Sequence, residues 1–230
     1  VLFHKILYNK EKQDAQMDLS KKFDDYFMEN RPEVLEFVPV ECKKILEVGC
    51  GQGGFGAIIK ERNNAEVWGA ELMEEPAKVA ATRLDKVLTG DFESQLKNLP
   101  KNYFDCVIFN DSLEHLTDHY RVLQEVKKLL IPGGYIAGSI PNFRFYRNIK
   151  EILFKKEFKY ISAGILDYTH YRFFTEKSIV RTFNECGYEI VRLNGINEDK
   201  NKKLKILNFF LFGFLRDMKY VQFGITAKSV

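Results

Sequence analysis

Residues 45–56 read Ile-Leu-Glu-Val-Gly-Cys-Gly-Gln-Gly-Gly-Phe-Gly, an apolar run that passes straight into a glycine-dense turn and an apolar helix start. A turn at the carboxyl end of a buried parallel strand presents backbone N–H groups and a helix N-terminus to a bound group, and glycines let the main chain approach it. Gly49, Gly51 and Gly53 give G-x-G-x-G, whereas Gly51, Gly53 and Gly56 also satisfy the G-x-G-x-x-G of dinucleotide sites. Glu47, two residues before the first glycine, is ill-suited to a pyrophosphate and well suited to a ligand carrying an ammonium or sulfonium group. Two further acids recur along the chain. Glu71 lies eighteen residues beyond Gly53, about where a carboxylate accepts hydrogen bonds from ribose hydroxyls. In Gly90-Asp91-Phe92 the Asp can accept from an adenine amino group while the aromatic face holds the ring.

A second group of polar residues lies further along the chain. Asn110-Asp111-Ser112 is followed by Glu114-His115, and the polar-aromatic cluster from Asp167 to Thr175 contains His170, Tyr171 and Arg172. Imidazole titrates near ~6.5, which makes histidine the natural general base at neutral pH. His4, close to the start of the chain, carries little weight. His115 and His119 stand four apart and share one face of a helix, a spacing that could bind a metal. Leu116, however, stands where H-E-x-x-H demands Glu and no third ligand is evident, so no metal is expected and His119 is expected to face solvent.

The elements that must position these residues alternate. Apolar runs at 45–48, 67–72, 86–92, 104–110 and 135–140 are separated by helical segments, which implies a parallel sheet with helices on both faces. Pro76 suits the first turn of a helix running to 86, and apolar residues at helical spacing predict one long helix over 112–130. Ile131-Pro132-Gly133-Gly134 then stops that helix and turns the chain into the fifth strand. Residues 143–174 are rich in aromatic and basic residues and lack a sheet period, and they are read as a cap inserted over the site. A helix from Thr175 to Gly187, a strand over 188–195, a helix over 203–218 and a strand over 220–227 complete the pattern, behind a helical, polar-faced segment at 1–42.

The 230 residues fit a single domain. Thirty-five basic against 32 acidic residues give a net charge of +3, too balanced for nucleic acid to be the main partner. Cys42, Cys50, Cys106 and Cys186 form no C-x-x-C pair, which fits reduced thiols and a cytoplasmic location. The most apolar stretch, 204–215, is interrupted by Lys205 and Asn208 and falls short of the ~20 residues of a membrane span.

The ordered series of strand-end residues, with the Ile131–Gly134 turn and the late extra strand, resembles the class I S-adenosylmethionine-dependent methyltransferases over residues 45–195 and beyond. The resemblance implies an α/β, Rossmann-like, doubly wound sheet of seven mostly parallel strands, with S-adenosylmethionine as cofactor and S-adenosylhomocysteine as product. It places Glu47, Gly49, Cys50, Gly51 and Gly53 around the methionine moiety and Glu71 with Leu72 at the ribose. Asp91 with Phe92 falls at the adenine, and Asn110 and Ser112 on the floor near the sulfonium. Pro141-Asn142 ahead of the cap is similar to methyltransferases of glycan and polysaccharide synthesis. On that footing His115 or His170 accepts the acceptor's proton and Asp167 orients His170, while Asn142, Arg144, Tyr171 and Arg172 meet the substrate. An Asp167–Arg172 ion pair anchoring the cap is the structural alternative. The expected reaction moves a methyl group to an oxygen or nitrogen of a small or glycan-linked acceptor. A cofactor-binding module without catalysis and a nicotinamide oxidoreductase remain as alternatives, and the sequence does not set the oligomeric state.

Overall fold

The computed structural model describes residues 31–230; the expected helical segment at 1–42 therefore lies mostly outside the described residues, and its end, past Arg31, holds only a 3-10 turn, Leu35–Phe37. In chain order the elements are β1 (Lys44–Val48), α1 (Gly54–Asn63), β2 (Glu66–Glu71), α2 (Glu74–Ala80), β3 (Lys86–Thr89), α3 (Phe92–Gln95), β4 (Phe104–Asn110), α4 (His119–Leu129), β5 (Leu130–Pro141), α5 (Tyr146–Lys150), α6 (Glu176–Glu185), β6 (Tyr188–Glu198), α7 (Lys202–Phe210) and β7 (Tyr220–Ser229).

The strands form one seven-stranded sheet in the order β3-β2-β1-β4-β5-β7-β6. β1 pairs in parallel with β2 on one side and β4 on the other, so the chain reverses its winding beside the carboxyl end of β1. That is the topological switch point, where open α/β sheets bind ligands. β7 runs antiparallel between β5 and β6, which departs from the 3-2-1-4-5-6 order of dinucleotide folds.

Period-2 alternation buries both faces. Ile45, Cys106, Ile108 and Ala137 pack with Phe55 and Ile59 of α1 on one side, and Leu46, Val107, Phe109 and Ile136 pack with Val122, Leu123 and Val126 of α4 and Phe183 of α6 on the other. At about 25 cal/mol per Å2 of apolar surface, this double-sided burial is the main stabilising term. It fixes the strand ends relative to one another.

Five expected boundaries are corrected. The helix over 112–130 is two elements: a 3-10 turn, Leu113–His115, ends at an extended Leu116, and α4 starts afresh where the Asp118 carboxylate accepts from Arg121 N at 3.0 Å. A new N-cap outcompetes continued helix there. The third strand stops at Thr89, because Asp91 caps α3 by accepting from Ser94 N at 3.1 Å. β5 begins at Leu130, and residues 131–134 form a bulge opposite Asp105 instead of a turn outside the sheet. The helix before β7 ends at Phe210, and α2 ends at Ala80.

Candidate functional site

The glycine turn sits at the switch point. Gly49, Gly51 and Gly53 all have left-handed φ (+75°, +53° and +75°), a conformation that disfavours any Cβ. A side chain at Gly56 would lie 2.7 Å from Glu47 Oε2, so α1 packs directly on that carboxylate. Glu47 is thus held beneath the loop, 2 % exposed, with Asn110 Nδ2 3.4 Å from its Oε1. Burial, opposed by the nearby Asn110 amide and Gly56 main chain and reinforced by the charge on Glu71, pushes its carboxyl up to about 8.

Glu71 braces the same turn. Its Oε2 accepts from Gly51 N at 2.8 Å and its Oε1 from Met73 N at 2.9 Å, and burial raises its pKa in spite of these bonds. Gly49 N and Cys50 N donate to Ala70 O at 2.8 and 3.1 Å. Three N–H groups of the turn are therefore committed to protein oxygens, with two carboxylates alongside. A pyrophosphate needs free donors and no carboxylate there, so the geometry disfavours a dinucleotide. The buried Cys50 thiol is raised in pKa by desolvation, then by Glu47 and Glu71, and Leu72 lies exposed at the rim.

Across the switch point, Ser112 closes on the turn: a Cβ on Gly49 would stand 3.1 Å from Ser112 Cβ. Glu47 Oε2, Asn110 Oδ1 and Ser112 Oγ are buried and lack a hydrogen-bond partner among the described residues. Orphaned polar atoms of this kind call for a ligand. An ammonium or hydroxyl donor matches the carboxylate and amide oxygens, so these residues fit S-adenosylmethionine. Phe92 is buried edge-on to Phe109, with ring centroids 6.4 Å apart, and Asp91 stands exposed beside it.

Backbone hydrogen bonds join the cap to this floor. Tyr171 N and Arg172 N both donate to Glu114 O, at 2.9 and 3.1 Å, and Phe143 N donates to Phe174 O at 2.8 Å, clasping the two ends of the cap. His115 and His170 consequently meet edge to face, with ring centroids 4.6 Å apart. His115 Nδ1 faces Thr169 O at 3.1 Å and His170 Nδ1 faces Ile165 O at 3.0 Å. Asp167 Oδ1 accepts from Thr169 N and Oγ1 at 2.8 and 2.7 Å, and among the described residues it is the carbonyl of Ile165 that faces His170 Nδ1.

Glu114 is the residue sequence reasoning passed over as a functional group. It is 1 % exposed, neither carboxylate oxygen has a hydrogen-bond partner among the described residues, and Oε1 lies 3.8 Å from His170 Nε2. Burial, then the charge of Asp111, pushes its pKa well up. Arg31 reaches the neighbouring Asp111 at 2.7 Å and Ser139 Oγ at 3.1 Å.

Several residues expected to meet the substrate have partners within the protein. Asn142 is fully buried and donates to Asp217 O and Tyr220 O at 2.8 and 2.9 Å. Arg144 pairs with Asp217 through Nε at 2.6 Å and Nη2 at 3.3 Å. Arg172 donates to Thr117 O and to Tyr171 O, so among the described residues its expected ion pair with Asp167 does not form. Tyr171 is half-exposed at the surface. His119 does not share a face with His115 and is not fully solvent-facing: it lies half-buried against Phe174, ring centroids 5.4 Å apart, and burial followed by the charge of Arg172 lowers its pKa.

Residues 16–193 match the family model described as a methyltransferase domain. A ubiquinone biosynthesis O-methyltransferase of Vibrio cholerae serotype O1 is 30 % identical over 168 residues, covering 67 % of this chain and 64 % of that relative. The corresponding protein of Shewanella sp. (strain ANA-3) is 36 % identical over 118 residues, 48 % of this chain and 47 % of the relative. The chain thus spans less than two thirds of these relatives. A SAM-dependent methyltransferase from Archaeoglobus fulgidus superposes with a TM-score of 0.63 at 21 % identity, covering 82 % of this chain and 86 % of that one. One from Methanosarcina mazei superposes with 0.58 at 20 % identity, covering 86 % and 97 %.

Proposed function

This chain belongs to the S-adenosylmethionine-dependent methyltransferases, and from that premise we propose that it transfers a methyl group to a hydroxyl oxygen of a small-molecule acceptor. The observation that carries the reading is the set of orphaned buried oxygens on Glu47, Asn110 and Ser112 around a glycine turn braced by Glu71. When bound, the cofactor supplies an electrophilic methyl group on a positively charged sulfur.

The chain's own contribution is positioning and water exclusion. Glu71 would accept from the ribose hydroxyls with the lone pairs that Gly51 and Met73 leave over. Asp91 and Phe92 would take the adenine, with Cys50 and Leu72 lining the approach. Ser112 and Asn110 would hold the sulfur end through their unpartnered buried oxygens. The cap's docking on Glu114 brings His115 and His170 to the same end of the sheet, where the acceptor's proton departs. Tyr171 at the cap's rim is the remaining candidate for contact with the substrate.

Named O-methyltransferase relatives favour an oxygen acceptor over nitrogen, and the small-molecule class over a glycan-linked one. The test is transfer of an isotopically labelled methyl group to a panel of phenols, simple alcohols and glycan-linked hydroxyls. Transfer to one of the small hydroxyl compounds is expected. Tight S-adenosylhomocysteine binding with no transfer to any acceptor supports a catalytically inactive module instead.

A further inference from the structure

We infer that Glu114, His115 and His170 form the binding site of a divalent first-row transition-metal ion. Each offers one ligand atom, and the three atoms lie within 4.8 Å of one another. Ligands held at about 2.1 Å around one ion are closer than that, so a contraction of roughly 1 Å completes the site. The three residues come from two separate segments, the 3-10 turn after β4 and the cap, which the Glu114 carbonyl hydrogen-bonds together.

Two features distinguish this from an ordinary cluster of polar side chains. The Glu114 carboxylate is almost wholly buried and neither oxygen has a hydrogen-bond partner among the described residues, in a place where Asp111 and Asp167 add negative charge that Arg31, bound to Asp111, offsets only in part. A buried carboxylate so placed requires a cation or a proton. In addition, both imidazoles direct Nδ1 at a main-chain carbonyl, which makes Nδ1 the donor and Nε2 the basic, ligating nitrogen. Two imidazoles and one carboxylate suit zinc, iron(II), cobalt or manganese better than magnesium or calcium, and they leave coordination positions open. The inference deepens the reading given above, on which it rests for the ion's role: an ion here lowers the pKa of an acceptor hydroxyl, whose proton then passes to water as the oxygen takes the methyl group and the bonding pair returns to sulfur.

Binding is measurable without turnover. The full chain, stripped with a chelator, is titrated calorimetrically with Mn2+ and with Mg2+, and its Co2+ form is examined by visible absorption. One Mn2+ per chain, weaker Mg2+ binding and a cobalt spectrum free of thiolate charge transfer are expected, the last because the four cysteines are buried elsewhere. Glu114→Gln and His170→Asn should each weaken Mn2+ binding by at least about tenfold while S-adenosylhomocysteine affinity stays, which certifies the fold. Failure of the wild type to bind any of these ions, or wild-type affinity in both variants, overturns the inference. Methyl transfer that persists undiminished in the stripped protein overturns it while leaving the methyltransferase reading intact, whereas a bound ion without transfer to any acceptor does the reverse.

A separate face carries a second inference: we propose that α7 and the turn after it dock on an anionic lipid surface. Ile206, Leu207, Phe209, Phe210, Phe212 and Phe214 are all more than half exposed, Phe212 completely, and nothing among the described residues covers them. This is a structured surface: Asn201 caps α7 through Lys203 N and Leu204 N, and Asn208 ties back Gly213 and Leu215, which holds Phe212 outward at a φ of +50°. Lys200, Lys202, Lys203 and Lys205 accompany the apolar residues. Phenylalanines beside lysines, on a helix too short to span a bilayer, is the composition of an interfacial segment that meets acidic headgroups.

Co-sedimentation with phosphatidylcholine vesicles, with and without phosphatidylglycerol, tests it. Binding to the mixed vesicles is expected, falling with salt and lost in the Phe209→Ser, Phe212→Ser double variant. No binding overturns the proposal, and so does a wild-type dimer that the double variant converts to monomer without any vesicle association, since a second copy would then be the partner.

Discussion

At the scale of single residues, the site depends on a buried acid. Glu47 has a folded pKa of about 8, well above its ordinary value of 4.5, because it is desolvated under α1. A raised carboxyl pKa means that the folded state holds the proton more tightly, so stability is full below about pH 4.5 and falls as pH rises toward 8. Glu47→Gln should therefore be stabilising, by on the order of a few kcal/mol at pH 8 and far less at pH 4.5, as read from urea unfolding at the two pH values. Gly49→Ala makes the opposite point. Its φ of +75° and the Ser112 side chain 3.1 Å away imply a loss of about 1 kcal/mol in stability and at least tenfold in S-adenosylhomocysteine affinity, measured by calorimetry. The turn and its acids were legible because they lie within one strand-turn-strand unit. Glu114 was not: it stands beside His115 in an expected helix with no partner in the local sequence, and only the fold brings His170 to it, 56 residues away.

At the scale of elements, the cap depends on contacts that sequence spacing cannot reveal. Arg144 reads as a substrate group because its partner Asp217 lies 73 residues downstream. Arg144→Leu leaves Asp217 buried without its counter-charge and should cost about 1–3 kcal/mol in denaturant unfolding, with kcat/KM of the folded fraction unchanged. The return of the cap into α6 relies on a capping box in which Ser178 N donates to Thr175 Oγ1 at 3.2 Å and Thr175 N donates to Ser178 Oγ at 2.8 Å. Thr175→Ala should cost about 1 kcal/mol by the same measurement. That helix start was visible in the sequence. The break between the Leu113–His115 turn and α4 was not, because Leu113, Leu116, Leu123 and Val126 keep a helical period while Asp118 supplies a new cap in its midst.

At the scale of the molecule, the alternation of buried strands and helices builds the sheet, and because β4 and β5 run parallel, the turn after β4 and the cap after β5 lie over the same end of it. The alternation was plain in the sequence; strand pairing, the bulge at 131–134 and the exposed face of α7 are set by partners distant along the chain. The central claim is that the switch point, with its carboxylates and committed N–H groups, holds S-adenosylmethionine and not a dinucleotide. Calorimetric titration of the full chain with S-adenosylhomocysteine and, separately, with NAD tests it most directly. One S-adenosylhomocysteine site per chain, weakened at least tenfold by Glu71→Ala, with no heat from NAD, is the predicted result. Saturable NAD binding, or no S-adenosylhomocysteine binding by the folded protein, would contradict it.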